Sequence, residues 1–258
     1  MYDLQLLFVT ASNERREKLV KQIFELGIPF KIQFIDAYTP LNNLDYIQDT
    51  SLSEYDKKII CCGRSHIKAI EFAAQNESPK FSLILEDDVA FHKDEFIPKI
   101  INIINTWDSF MSKNSHMLSI GWVPYENYRH YMNETNCKYI DSKYKVLASF
   151  FYFGLQAYLI TKEAAKQVLP HILAPTYEQF KKQMLESKLP YIDAETNFLH
   201  ADQWINHMFR QKALFPLLAI EQKNNNSIIG DHNPGGNDKV FIDFFHGYES
   251  ERLHYWSY

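Results

Sequence analysis

The chain has 258 residues, 46 % of them hydrophobic, a formal net charge of -5 and a pI near 6.1. That is enough apolar material for one full-sized core, and the acidic balance excludes a nucleic-acid groove as the main binding surface, since such a groove needs a basic face. No run of about 18 uncharged apolar residues predicts a transmembrane helix.

The start, Met1-Tyr2-Asp3-Leu4-Gln5, lacks the basic and long apolar stretches of a signal peptide. Cys61, Cys62 and Cys137 are an odd count with an adjacent pair, which is not a disulfide framework, and Cys61-Cys62 lacks metal-ligand spacing and reads as core. A reducing compartment follows. The expectation is a cytoplasmic protein (host cytoplasm if viral) with one domain over residues 1–258, because no Gly/Ser- or Pro-rich linker divides it.

Leu4 to Val9 has the length and apolarity of a buried strand and stops at the polar loop Thr10-Ala11-Ser12-Asn13. From Glu14 to Leu26 the residues Leu19, Val20, Ile23, Phe24 and Leu26 fall on one helical face, and Gly27 stops the helix. Ile32 to Ile35 is a second strand that delivers Asp36. Strand, helix, strand opens an α/β nucleotide-binding unit with polar groups at the strand ends.

Ser65 to Asn76 is predicted as a helix, Ser82 to Leu85 as a strand, and Phe96 to Trp107 as a buried helix. Met117 to Gly121 is another strand, and residues 122 to 145 are a long loop or short hairpin, a candidate lid or acceptor-binding segment. Val146 to Phe153 and Leu155 to Ile160 read as strands around Gly154, and Thr161 caps the helix that follows. Residues 176 to 190 and His200 to Gln211 are further helices, the latter with Asp202 near its N-terminus. Ala213 to Ile220 is a late strand whose Pro216 suits an edge. The aromatic tail, Val240 to Tyr258, would dock on the domain, line an acceptor cleft or mediate a homodimer.

The chemistry is concentrated in Phe81 to Val89, where an apolar strand runs into Glu86, Asp87 and Asp88. Adjacent carboxylates repel unless a cation screens them, and magnesium or manganese, which keeps positions open for phosphate oxygens, is the natural screen. A solvated acidic loop is the plainer alternative. Ser65, His66 and Lys68 are placed on a first helical turn suited to phosphate, with His66 equally readable as a structural hydrogen-bond donor. Arg15 and Arg16 would brace a diphosphate or nucleoside, or form a solvated face; Thr10 and Asp36, at strand ends, are candidate nucleotide contacts, Asp36 alternatively a turn-capping acid.

These segments resemble glycosyltransferase family 25, which includes bacterial lipooligosaccharide and collagen-modifying galactosyltransferases. The resemblance lies in Asn13-Glu14-Arg15-Arg16, Asp36-Ala37, Gly63-Arg64-Ser65-His66-Ile67-Lys68-Ala69-Ile70, Leu83 to Val89, Gly154 to Thr161 and Asp202-Gln203-Trp204-Ile205. It implies an α/β fold of GT-A type, Rossmann-like, with a central mixed sheet flanked by helices. It also implies a UDP-hexose donor, galactose before glucose, with Mn2+ (or Mg2+) and inversion at the anomeric carbon.

In that scheme Asp88 is the direct metal ligand, Glu86 reaches the metal through a water or contacts the ribose, Asp87 serves either role, and His232 is a candidate late ligand. Asp202 is the candidate base for the acceptor hydroxyl, with Asp193 and Glu195 as alternatives. The acceptor would be a glycan or a hydroxylysine-containing protein. Arg64 stands where relatives often carry an aliphatic residue, and the chain beyond Ile220 departs from the pattern. A nucleotide-sugar or glycan-binding module on the same fold is the competing function; a metal-dependent phosphohydrolase would need a histidine-rich ligand set that the sequence lacks.

Overall fold

The computed structural model of the chain describes residues 2–43, 45–48, 51–111, 115–123, 137–147, 153–186 and 200–221. Strand β1 (Leu4–Thr10) is buried along its whole length. Leu4, Leu6 and Phe8 enter one core layer and Leu7 and Val9 the other, as the alternation of a strand covered on both faces demands. Helix α1 (Asn13–Leu26) begins at Ser12, whose hydroxyl accepts from the Arg15 N–H, and ends at Gly27 in the left-handed region at φ 60°. Strand β2 (Lys31–Asp36) follows and lies parallel to β1.

Helix α2 spans Glu54–Ala74, so the helix expected from Ser65 begins eleven residues earlier. Its start is a capping box in which Ser53 and Asp56 satisfy each other's backbone N–H groups. Gly63 lies mid-helix, facing the later helix Ala201–Phe209 at ordinary contact distance. A Cβ there would sit 3.5 Å from Ala201 and from the Trp204 ring.

Strand β3 (Phe81–Glu86) feeds a turn at Asp87 and Asp88 and then the short strand β4 (Val89–Phe91). Helix α3 (Phe96–Phe110) and strand β5 (Met117–Val123) come next. The segment expected as a loop or hairpin holds strand β6 (Cys137–Tyr139) and the start of β7 (Lys145–Leu147), which pair antiparallel. Strand β8 (Phe153–Thr161) runs unbroken through Gly154; of the strand expected over Val146 to Phe153, Val146 and Leu147 belong to β7, Phe153 to β8, and residues 148–152 lie outside the described residues. Helices α4 (Lys162–Ile172), α5 (Tyr177–Glu186) and α6 (Ala201–Phe209) precede strand β9 (Lys212–Phe215) and strand β10 (Ala219–Glu221).

One mixed sheet of eight strands has the order β2-β1-β3-β8-β5-β9-β7-β6, and β10 pairs separately with β4. The late strand is therefore two strands, broken at Pro216, and β9 is interior rather than an edge, hydrogen-bonded to β5 and β7. Proline has no N–H for a ladder, so pairing stops where it enters. Helices α2, α4, α5 and α6 cover one face through Ile67, Val168, Phe180 and Trp204. Helices α1 and α3 cover the other through Leu19, Ile103 and Trp107. This is the α/β class with a central mixed sheet flanked by helices that the sequence implies. No helix among the described residues is long and apolar enough to cross a membrane.

Candidate active site

Parallel pairing puts three polar strand ends side by side. Thr10 pairs with Asp36 and Val9 with Glu86, so the loops after β1, β2 and β3 open at one edge of the sheet, where open α/β sheets bind ligands. Thr10 is buried and its hydroxyl donates to the Ser12 carbonyl at 3.1 Å.

The three acids have different surroundings. Asp87 is buried, with Oδ2 accepting from the Ala11 N–H at 2.9 Å and Oδ1 paired to Arg15 Nη1 at 2.6 Å. Arg15 also lies 3.6 Å from Asp88. Burial by itself would lower the Arg15 pKa, but the Asp87 hydrogen bond and the charges of Asp87, Asp88 and Glu86 raise it above its ordinary value. Arg15 is thus the built-in cation of the triplet rather than part of a solvated face. Arg16 pairs instead with the exposed Asp36 and lies over the Phe34 ring.

Glu86 is held from behind by His66, whose Nε2 is 3.2 Å from Oε1. The other ring nitrogen, Nδ1, is 3.0 Å from the Tyr158 hydroxyl. Burial, with the nearby Glu86 charge and Cys62, pushes the Tyr158 phenol well above its ordinary pKa, so it stays neutral. Because α2 starts at Glu54, Ser65 and Lys68 are not at a helix terminus, and the phosphate argument built on one does not apply to them. Ser65 is buried, donates to the Cys61 carbonyl and accepts from the Tyr38 N–H at 2.8 Å. Lys68 Nζ donates to the Asp36 carbonyl at 3.0 Å. Both residues fasten the loop after β2 to α2.

Asp202 lies in the first turn of α6, and its Oδ2 accepts from the Gly154 N–H at 3.0 Å. The packing of Gly63 on Ala201 and Trp204 brings that turn against α2. Cys62, one residue earlier, is raised well above an ordinary thiol pKa by burial and then by the charges of Glu86, Asp202 and Asp88. The ligand atoms of Glu86 and His66 lie within 4.8 Å of the Cys62 sulfur, and Asp202 is tied to the start of β8 through Gly154.

Cys62, Tyr158 and Gly154 carry this geometry without having been singled out for it in the sequence. The four-residue spacing from Cys62 to His66, one helical turn, was the available signal for the first. Among the described residues one set of His, Cys, Asp and Glu side chains gathers its ligand atoms within 4.8 Å, namely Cys62, His66 and Glu86. Asp88, the expected direct ligand, is outside that set. Asp193, Glu195 and His232 lie outside the described residues. For a hard divalent ion the donor chemistry fits at Glu86 and Asp88, two carboxylates two residues apart across a turn, with the Glu86 side chain 27 % exposed toward solvent.

No curated protein sequence matches the chain directly. Among solved structures it is similar to a glycosyltransferase involved in the glycosylation of the major capsid of PBCV-1, with 11 % identity over 86 % of this chain and 93 % of that one and a TM-score of 0.35. It is also similar to the galactosyltransferase LgtC in complex with donor and acceptor sugar analogues (11 %, 94 % and 95 %, TM-score 0.39). A third is mouse xyloside xylosyltransferase 1 in its apo form (16 %, 81 % and 69 %, TM-score 0.39). The model of glycosyltransferase family 25 (LPS biosynthesis protein) matches residues 7–185, more than two thirds of the chain and the span that holds α1, α2 and the acidic turn, and the chain belongs to that family.

Proposed function

We propose that the protein is a metal-dependent inverting hexosyltransferase that moves galactose, or failing that glucose, from a UDP-sugar to a hydroxyl of a glycan or of hydroxylysine. The observation that carries this reading is the acidic end of β3, Glu86 to Asp88, set by parallel pairing beside the loops after β1 and β2. Glu86 and Asp88 would hold Mn2+ or Mg2+, and such an ion neutralises the charge that grows on a departing diphosphate. The chain's own parts have separable tasks. Asp87 and Arg15 lock the loop after β1 to the acidic turn, while His66, backed by Tyr158, fixes the direction of the Glu86 carboxylate. The loop carrying Asp36, fastened by Ser65 and Lys68, offers the nucleoside a surface.

Asp202 would take the proton of the acceptor hydroxyl as that oxygen attacks the anomeric carbon. With Oδ2 engaged by Gly154, Oδ1 is the oxygen that receives it.

The test is UDP release from a panel of UDP-sugars with and without Mn2+, comparing the native chain with Asp88→Ala. Metal-dependent release from one UDP-hexose, lost in the variant, would establish the reading. Absence of calorimetric binding for every UDP-sugar with metal present would overturn it; binding without turnover of any acceptor would favour a nucleotide-sugar-binding module.

A further inference from the structure

We propose that Cys62, His66 and Glu86 form a site for a thiophilic divalent ion of the zinc type, distinct in ligand chemistry from the hard-ion site at Glu86 and Asp88. The three side chains supply a sulfur, an imidazole nitrogen and a carboxylate oxygen, all within 4.8 Å of one another. Three protein ligands of these types, with a further position open, are a set that tetrahedral zinc accepts.

The placement is favourable at each ligand. Cys62 and His66 are one turn apart on α2 and therefore project on the same side of it. His66 Nε2 and Glu86 Oε1 are 3.2 Å apart, close to the separation of two donors about 2 Å from a common ion. With an ion at Nε2, the Tyr158 hydroxyl, 3.0 Å from Nδ1, can accept a hydrogen bond from Nδ1–H and so fix the tautomer that presents the Nε2 lone pair. Metal-bound histidines are held in this way by a hydrogen bond at the other nitrogen. The thiol proton leaves to solvent as the sulfur binds. Since Glu86 belongs to both ligand sets, the two ions compete for it. The binding itself stands independently of the transferase reading.

The experiment is a Co2+ titration of the full chain, followed by absorption and then by back-titration with Zn2+. The expected result is one equivalent of Co2+ with a thiolate-to-cobalt charge-transfer band in the near ultraviolet, abolished by Zn2+. Cys62→Ser should lose the band, and Tyr158→Phe should keep it while weakening zinc by about 10- to 100-fold. Circular dichroism checks that both variants are folded. A native chain that binds Co2+ without the sulfur band, or a Cys62→Ser variant with unchanged zinc affinity, would overturn the site. Manganese-dependent UDP release by zinc-free Cys62→Ser reports separately on the transferase reading.

Discussion

Arg15 Nη1 lies 2.6 Å from Asp87 Oδ1, joining the first turn of α1 to the acidic turn after β3 across 72 residues of sequence. The side chains are 12 % and 6 % exposed, so the pair is shielded from solvent on both sides. Removing one member of such a pair leaves the other as an uncompensated charge, which costs more than the pair itself contributes. Arg15→Met is therefore expected to destabilise the fold by roughly 3 kcal/mol, read as a lower urea midpoint. A loss below about 1 kcal/mol, the range of exposed pairs, would mean that the guanidinium is a surface charge after all.

Gly154 has φ 85°, and a Cβ there would meet Gln156 Oε1 at 2.3 Å and Nε2 at 2.7 Å. Two separate penalties follow for Gly154→Ala. The left-handed backbone costs about 1 kcal/mol or more for any residue with a Cβ, and the Gln156 amide must move. Pairing the variant with Gln156→Ala is expected to recover the second loss and not the first, a non-additivity that a double-mutant cycle measures. Full additivity would place the strain elsewhere.

The sheet-forming segments were legible because their signal is local. Leu4 to Val9 and Ser82 to Leu85 are short apolar runs that end in polar loops, and a buried parallel strand looks like that in sequence. The start of α2 was not: the sequence reading begins the helix at Ser65, whereas its capping box lies at Ser53 and Asp56. Moving that start back to Glu54 changes Ser65 and Lys68 from phosphate donors at a helix end to fasteners of the loop at Tyr38 and Asp36. The acidic triplet was visible, but its internal cation was not. Nothing in the spacing distinguishes Arg15 from Arg16, and the fold directs one to Asp87 and the other to Asp36.

Glu95 and Asp141 connect α3 to the β6–β7 hairpin through Lys143, Tyr144 and Lys99. Burial would raise both carboxyl pKa values, but hydrogen bonds from Lys143 and Tyr144 lower that of Glu95, and bonds from Lys99 and the backbone of Tyr144 and Lys143 lower that of Asp141. A carboxyl whose folded pKa is depressed binds its proton more readily in the unfolded chain. Its stabilisation is thus complete above the unfolded pKa, near 4, and is lost as pH falls through the lower folded value. Hydrogen exchange in residues 137–147 should accelerate as pH drops below about 4, after correction for intrinsic rates, and Glu95→Gln with Asp141→Asn should flatten that dependence. An unchanged slope in the double variant would assign the acid sensitivity to other carboxylates.

Asp202 offers the sharpest separation of chemistry from structure. Its Oδ2 accepts the Gly154 N–H, and asparagine can accept the same hydrogen bond through its amide oxygen but cannot act as a general base. Asp202→Asn should therefore keep the urea midpoint and the donor KM while lowering kcat by about 10²- to 10⁴-fold, the range of a lost general base. Asp202→Ala removes the acceptor as well and should add a loss of roughly 1–3 kcal/mol in stability from the Gly154 N–H left without it. If Asp202→Asn instead transfers sugar at the native rate while Asp202→Ala is both unstable and slow, the carboxylate is a fastener between α6 and β8, and the base lies elsewhere in the chain.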